Sequence, residues 1–421
     1  MTGRPRAAVI GSGVAGLVAT HVLARSHTVT VYEADARPGG HAHTHDVTLE
    51  GERLSVDSGF IVHNDRTYPT LQRLFRELGV ATRETDMSMS VRHEASGIEY
   101  AGGRGPSGLL ADPRTVLRPA YGRMLLDVRR FHRSARALLD TPATGADVAL
   151  GDWLEPQRFS NAFIDWFVRP LVAAVWSCDP DRSLEYPARS LLTFLDHHGM
   201  LSVTGSPTWR TVVGGSRTYV DRVLAGVSDV RLSTPVVALR RTASGAEVVS
   251  ADGRCDAYEA VVVATHPHQA LSLLSSPTAA ERDVLGAITY SVNEAQLHTD
   301  TTVLPNRRGA RASWNYLLPR DPQAGVLVTY DLTRLMRLPS PSGQRVLVTL
   351  NGSQRVDKRR VLAEMTYEHP LYTADAVAAQ ARLPELSDRR IAFAGAYHGW
   401  GFHEDGALSG LRAAQALGGS W

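Results

Sequence analysis

The sequence predicts an α/β chain in which a Rossmann-like domain, assembled from separated segments, carries an inserted α+β domain. Three observations support this. Residues 7–33 read as strand, glycine turn, helix, strand and acid; apolar strand-like runs return near residues 260 and 391; and the stretches between them alternate helical and strand periods.

Ala7 to Ile10 is a short apolar run ending at Gly11, the pattern of a buried strand. Gly11, Gly13 and Gly16 form G-x-G-x-x-G at the mouth of a helix expected over 14–25, and residues 28–32 form the second strand. Gly11 serves the tight turn, Gly13 lets backbone approach a pyrophosphate, and Gly16 lets helix and strand pack closely. The helix N-terminus offers free N–H groups to phosphate. Glu33, about 20 residues on, is placed to take ribose hydroxyls.

Downstream, 53–62 is strand-like and 67–78 is a helix with Leu71, Leu74, Phe75 and Leu78 on one face. Residues 85–100 alternate as one strand of another layer. A second G-x-G-x-x-G at Gly103, Gly105 and Gly108 is discounted as a glycine-rich loop, because Pro106 and Pro113 interrupt the helix it needs. Residues 117–140 and 148–175 have helical period, with Trp153, Phe163, Trp166 and Phe167 as core aromatics and Trp176 at the end. A further helix over 186–198 has Pro187 in its first turn. Residues 208–215 lead into a helix at 216–224. Strands are expected over 230–239 and 246–264, with a turn at Ala251-Asp252-Gly253, and over 294–299, 312–318, 325–332 and 344–350. The charged run 356–360 reads as the start of a surface helix. Residues 390–417 read as strand, loop and helix.

The 421 residues suffice for two or three domains, and 43% hydrophobic with 21% charged residues is ordinary globular composition. A net charge of +2 predicts no nucleic-acid partner. Cys178 and Cys255 give neither metal spacing nor a disulfide framework, which predicts a reducing, cytoplasmic setting. No stretch reaches membrane-spanning length without charge.

The run from Glu33 through Gly39-Gly40-His41, with Phe393-Ala394-Gly395 and Gly406-Ala407 through Ser409-Gly410 and Ala413-Ala414, resembles the amine oxidase and phytoene desaturase superfamily of flavoproteins. The wider pattern, including Trp-Ser-Cys-Asp-Pro at 176–180, resembles a bacterial subgroup of NAD/FAD-binding amine-oxidase-like proteins, some of whose plant relatives are fused to cyclopropane fatty acid synthases. The resemblance implies a glutathione-reductase-type FAD-binding domain over 1–80, 205–278 and 385–421, and an amine-oxidase-like substrate domain over 81–204 and 279–384.

It implies FAD contacts from Gly11, Ser12, Gly13, Ala15, Gly16, Glu33, Ala34, Arg37, Gly39, Gly40, His41, Ala42 and His43. Further contacts are implied from Gly59, Phe60, Ile61, Val237, Thr265, Gly395, Ala396, Asp405, Gly406 and Ala407. Of these, Asp405 fits an N-cap and Gly406-Ala407 open a helix towards the flavin pyrimidine.

Many amine oxidases of this fold keep a lysine near flavin N5. Here Lys358 is the only lysine and sits in the charged run. His41, His43 and His45 alternate onto one side, which suits a metal, but the resemblance assigns His41 and His43 to FAD, by contact or covalent attachment, so no metal is expected. Counting back four from Ala407 gives His403, facing the flavin either as an acid–base group or as a positioning group, with Glu404 to tune it and Trp400 as a wall. Asn64, Tyr68, Trp314 and Tyr316 are pocket liners by resemblance, and His197 and His198 are helix surface and cap.

The expected activity is hydride transfer from a C–H bond of an apolar or amphipathic substrate to flavin N5, as in desaturation of an acyl lipid or isoprenoid. Amine or amino-acid oxidation and non-redox flavin-dependent isomerisation are the alternatives. O₂ or an external acceptor would reoxidise the flavin, in a monomer or homodimer.

Overall fold

A computed structural model of the chain describes residues 3–49, 51–142, 147–176, 180–202, 205–321 and 326–421, without the side chains of residues 174, 176, 180 and 181. Cys178 and the 177–179 part of its motif lie outside the described residues, as does the start of the strand expected at 325.

Among the described residues, the central sheet has five parallel strands in the order Asp229–Arg231, Thr28–Tyr32, Arg6–Ile10, Ala260–Val263 and Ile391–Phe393. The first helix, Val14–Leu23, is buried on nearly every side, as its mostly apolar sequence requires, with His21 its one partly exposed residue. A seven-stranded mixed sheet runs Val361–Pro370, Tyr290–His298, Leu347–Leu350, Leu327–Asp331, Trp314–Leu318, Met89–His93, Ile98–Gly102, with only the Trp314–Leu318 and Met89–His93 pair parallel. The helices from Pro119–Asp140 to Ala188–His197 bury Phe131, Phe163, Leu192 and Phe194 against this sheet's Tyr100 and Tyr316. Helices Ala279–Ala287 and Ala374–Arg382 pack in the same cluster as Ala8 and Ile10 of the first strand.

Several local expectations are corrected. Residues 85–100 are not one strand but part of a hairpin, Met89–His93 and Ile98–Gly102. It turns where Ser96 bonds to His93 and Gly97 takes a φ of 68°. Residues 230–239 divide between two sheets, because the backbone N–H groups of Ser233 and Thr234 turn back onto the carbonyls of Asp35 and Glu33. Pro106 does not exclude a helix but starts the four-residue helix Pro106–Leu109. Pro187 is an N-cap rather than a first-turn residue. The charged run 356–360 forms a 3₁₀ turn, Lys358–Arg360, that feeds the edge strand Val361–Pro370.

The expected helix over 148–175 breaks into pieces. It is interrupted at Arg158, whose φ is 51°, and restarts where the Ser160 hydroxyl accepts from the Phe163 N–H. A π-helical stretch, Ile164–Val168, then precedes Pro170. Pro170 has no N–H for the carbonyl of Trp166, and the Tyr100 hydroxyl donates to that carbonyl instead, at 2.6 Å.

The closing helix, His403–Ala416, lies directly on the first helix. A Cβ added at Gly410 would stand 2.1 Å from the Ala15 carbonyl oxygen, and one at Gly406 would stand 2.6 Å from Val14 Cγ1. Gly410→Ala is therefore expected to destabilise the protein by about 1–3 kcal/mol, since a backbone atom blocks the new methyl. Gly122→Ala, in an exposed helical position with no atom within 4 Å of the new carbon, should stabilise it by up to about 1 kcal/mol. Urea midpoints of the two variants test this contrast.

Candidate active site

The glycine turn has the three geometries its spacing predicts. Gly11 takes a φ of 98°, and a Cβ there would meet the Ala264 carbonyl oxygen at 2.6 Å. A Cβ at Gly16 would fall 1.9 Å from the Gly11 carbonyl oxygen, so helix and strand touch backbone to backbone. Gly13 alone faces open space. It is also the N-cap of the first helix, which has no side-chain cap and no acid in its first turn. That terminus leaves N–H donors and a positive dipole end for an anion, and a dinucleotide pyrophosphate fits it.

The second glycine turn is stapled to the first. The Gly39 N–H donates to Ser12 Oγ at 3.0 Å, while the Ser12 N–H and hydroxyl both donate to Glu33 Oε2. The other oxygen of Glu33 accepts from the Asp35 N–H at 3.0 Å, beside exposed Ala34. The Arg37 guanidinium donates to the carbonyls of Pro38, Gly40 and Ala42, so it rigidifies this turn and leaves its charge beside the first. Ala15 and Ala42 are buried core, and Thr265 touches the Gly11 turn. Val237 sits at a bulge between Val236 and Ala238, which frees its backbone from the ladder, and its side chain is 53% exposed.

A third layer joins residues 41–45 to 58–61. The His41 carbonyl accepts from the Phe60 N–H at 2.7 Å, and a Cβ at Gly59 would strike that carbonyl. Buried Ile61 contributes its carbonyl to the Thr211 hydroxyl at 2.9 Å. The three histidines expected on one side do not converge on a point. His43 and His45 lie with rings 4.0 Å apart, His43 Nδ1 is 3.0 Å from the Tyr367 hydroxyl, and His45 Nε2 is 2.8 Å from Ser58 Oγ. His41 instead packs 4.9 Å from the Tyr367 ring and 5.6 Å from His369, and its Nε2 is buried with no hydrogen-bond partner. Burial holds the His41 pKa well below the usual histidine value, so this orphaned nitrogen belongs to a neutral ring. A bound group is the simplest partner for it.

At the closing helix, His403 stacks on Phe60 at 3.8 Å with an interplanar angle of 5°, and its Nε2 is 2.7 Å from the Tyr219 hydroxyl. Burial, with His63 nearby, pushes its pKa down to about 3. The Glu404 carboxylate is occupied elsewhere: it accepts from the Thr70 and Leu71 N–H groups at 2.8 and 3.0 Å, capping helix Pro69–Leu78. Trp400 packs on Phe194 and His197, at 6.2 and 5.3 Å between ring centroids. Asp405 is not the N-cap but the third residue of the helix, where its carboxylate accepts from the N–H of Phe402, the N-cap, at 2.9 Å. The Gly395 N–H donates to Ser409 Oγ at 2.9 Å, which fastens the Gly395-Ala396 loop to the helix, and Ala407 is fully buried.

Of the other residues singled out, Tyr68 and Tyr316 are buried and Asn64 bonds within its own turn to Thr67. Trp314 packs edge-on to Tyr330. His197 is exposed, whereas His198 is buried on Phe194.

Sequence reasoning did not find Asp57, Tyr219, Tyr367 or His369 as site residues. Asp57 is buried and accepts from the Ser216 N–H and hydroxyl and from the Thr44 hydroxyl, so it locks the start of helix Arg217–Leu224 to the site. Burial pushes its pKa up to about 6. Tyr367 and His369 share one face of Val361–Pro370, a period-two signal masked by the charged run before it.

Burial also pushes Asp405 up to about 7, against the stabilising Phe402 N–H, and the charge of Glu404 adds to the rise. Between about 3.8 and about 7 the folded protein holds a proton at Asp405 that the unfolded chain has lost, so this group's contribution to stability falls as pH rises. Asp405→Asn keeps the acceptor and removes the charge. Its melting temperature is expected to fall less than that of the parent between pH 5 and pH 8, and equal pH slopes would contradict this account.

The profile of the family described as flavin-containing amine oxidoreductase matches residues 14–418. No curated protein sequence matches the chain. Among solved structures, it is similar to a putative protoporphyrinogen oxidase from Exiguobacterium sp. 255-15, at 14% identity and a TM-score of 0.69 over 99% of each chain. It is similar to cyclohexylamine oxidase from Brevibacterium oxydans IH-35A, at 16% and 0.68 over 99% of each. It is also similar to a fatty acid isomerase from P. acnes that produces CLA, at 16% and 0.70 over 98% of each. With the profile spanning nearly the whole sequence and the glycine cradle in register, the chain belongs to the flavin-containing amine oxidoreductase family and is an FAD-dependent oxidoreductase.

Proposed function

We propose that this oxidoreductase removes hydride from a C–H bond of an apolar or amphipathic substrate, of the acyl-lipid or isoprenoid class. One observation carries the reading: the surroundings of the closing helix's N-terminus are aromatic, and the carboxylates there are turned to backbone N–H groups. His403 is held neutral on Phe60, Phe402 stacks on Phe194 at 4.8 Å, and Trp400 lies against the same Phe194. Glu404 is engaged by two backbone N–H groups, and Asp405 is half-protonated near neutrality. The sole lysine, Lys358, is exposed and lies before the first residue of the strand that carries His369, and that first residue, Val361, is itself roughly 26 Å of extended chain from His369. In this lining the acids are engaged by backbone N–H groups rather than aimed at a ligand, and the aromatic rings favour hydrocarbon.

Bound FAD supplies a hydride acceptor at N5. The chain's own part is to hold, orient and keep dry. The first helix and the Ser12–Gly39 staple would hold the pyrophosphate, and Arg37 would add positive charge near it. Glu33 has acceptor capacity left for ribose hydroxyls. The closing helix turns its positive end towards the site, where it favours negative charge. His403, with a pKa of about 3 and one nitrogen committed to Tyr219, is a poor base at neutral pH, so its role is to position, as the stack on Phe60 supports.

Anaerobic mixing with saturated and unsaturated fatty acids, phospholipid micelles, isoprenoids and a panel of amines tests the substrate class. Bleaching of the flavin absorbance by a hydrocarbon-chain member, and by no amine, is expected. Bleaching by amines with peroxide release on aeration would overturn the proposal. A double bond moved with no net oxidation would instead identify isomerisation. His403→Gln should change the reduction rate by less than about tenfold and leave its pH profile in place, whereas an acid–base role would cost about 10²–10⁴-fold.

A further inference from the structure

His266, His268 and Glu368 form a second cluster that the flavin chemistry does not use. His266 follows Thr265 at the end of the central strand Ala260–Val263 and is the N-cap of helix Pro267–Leu273. Glu368 lies on the edge strand Val361–Pro370, 102 residues away in sequence. His266 Nδ1 is 2.7 Å from Glu368 Oε2, and His268 Nε2 is 3.9 Å from the same oxygen. One ligand atom from each residue lies within 4.8 Å of the other two.

From this geometry we infer that His266, His268 and Glu368 bind a divalent cation of the zinc class. Two imidazole nitrogens and one carboxylate oxygen make a three-ligand set of the kind that leaves a fourth position open on tetrahedral zinc. With bonds of about 2.0–2.1 Å, tetrahedral ligand atoms stand roughly 3.4 Å apart. The observed 2.7 and 3.9 Å separations straddle that value. The short one is a hydrogen bond whose proton a cation would replace, and the histidines need only side-chain adjustment.

Two further features make this a formed site. The ring of His266 is fixed by stacking on Tyr290 at 4.4 Å, and Tyr290 stands on the strand paired with that of Glu368. The side chain of His268 is 54% exposed, against 29% for His266 and 31% for Glu368, so the open position faces water and an ion has an entry path. Such an ion would join the central sheet to the edge of the seven-stranded sheet, next to the Gly11 turn. The inference is independent of the substrate proposed above.

The test uses the chelator-treated flavoprotein and zinc chloride in isothermal titration calorimetry, with metal content measured after dialysis. The parent should bind one zinc per chain and melt at a higher temperature with zinc than with chelator. His268→Ala and Glu368→Gln should each weaken binding at least tenfold and abolish the zinc-dependent rise. Their flavin spectra and melting in chelator should match the parent, which excludes misfolding. Failure of the parent to retain stoichiometric zinc, or undiminished binding in both variants, would overturn the inference.

Discussion

The site depends on a backbone contact. The first helix touches the first strand through Gly16 and Gly11, and the closing helix touches the first helix through Gly410 and Ala15, with no side chain between. A methyl at Gly16 or Gly410 would stand 1.9 or 2.1 Å from a carbonyl oxygen. This closeness brings the N-termini of two helices to one region, the first opening on Gly13 and the second on Phe402. Two positive helix ends of this kind suit FAD, which carries a pyrophosphate at its middle and gains negative charge at its flavin end.

Around that contact, buried carboxylates do structural work. Glu404 caps helix Pro69–Leu78 and Asp57 fastens the start of helix Arg217–Leu224, each at the cost of burying a charge, which raises both pKa values. Tyr219, on the helix that Asp57 holds, reaches His403. The orientation of His403 is therefore set by Phe60, by Tyr219 and, through Asp57, by a strand more than 150 residues away. Such a chain of supports suits a group whose task is to stand still.

The proposed substrate class rests on aromatic surroundings whose acids are already engaged. Amine binding in a buried site needs a carboxylate or an aromatic cage aimed at the cation. The acids nearest this helix terminus are turned to backbone N–H groups, and the rings pack on one another. The hydrocarbon substrate proposed above needs only such a surface.

The sequence determined whatever is local. The three glycines, the apolar strand before them and the acid after them specify a βαβ unit, because each requirement is met within 30 residues. The existence of the closing helix and of the helix over Pro69–Leu78 was legible for the same reason, though the closing helix starts at His403 rather than after Asp405. Interruptions were less legible: 85–100 is divided by one glycine at positive φ with a local Ser96–His93 bond, and 230–239 by two backbone bonds to Glu33 and Asp35. Only the tertiary structure decided what Glu404, Asp57 and His266 do. Their partners are Thr70, Ser216 and Glu368, at separations of 334, 159 and 102 residues. An acid before a helix looks the same in sequence whether it faces a cofactor, a histidine or another helix, because side-chain direction is fixed by packing across the chain.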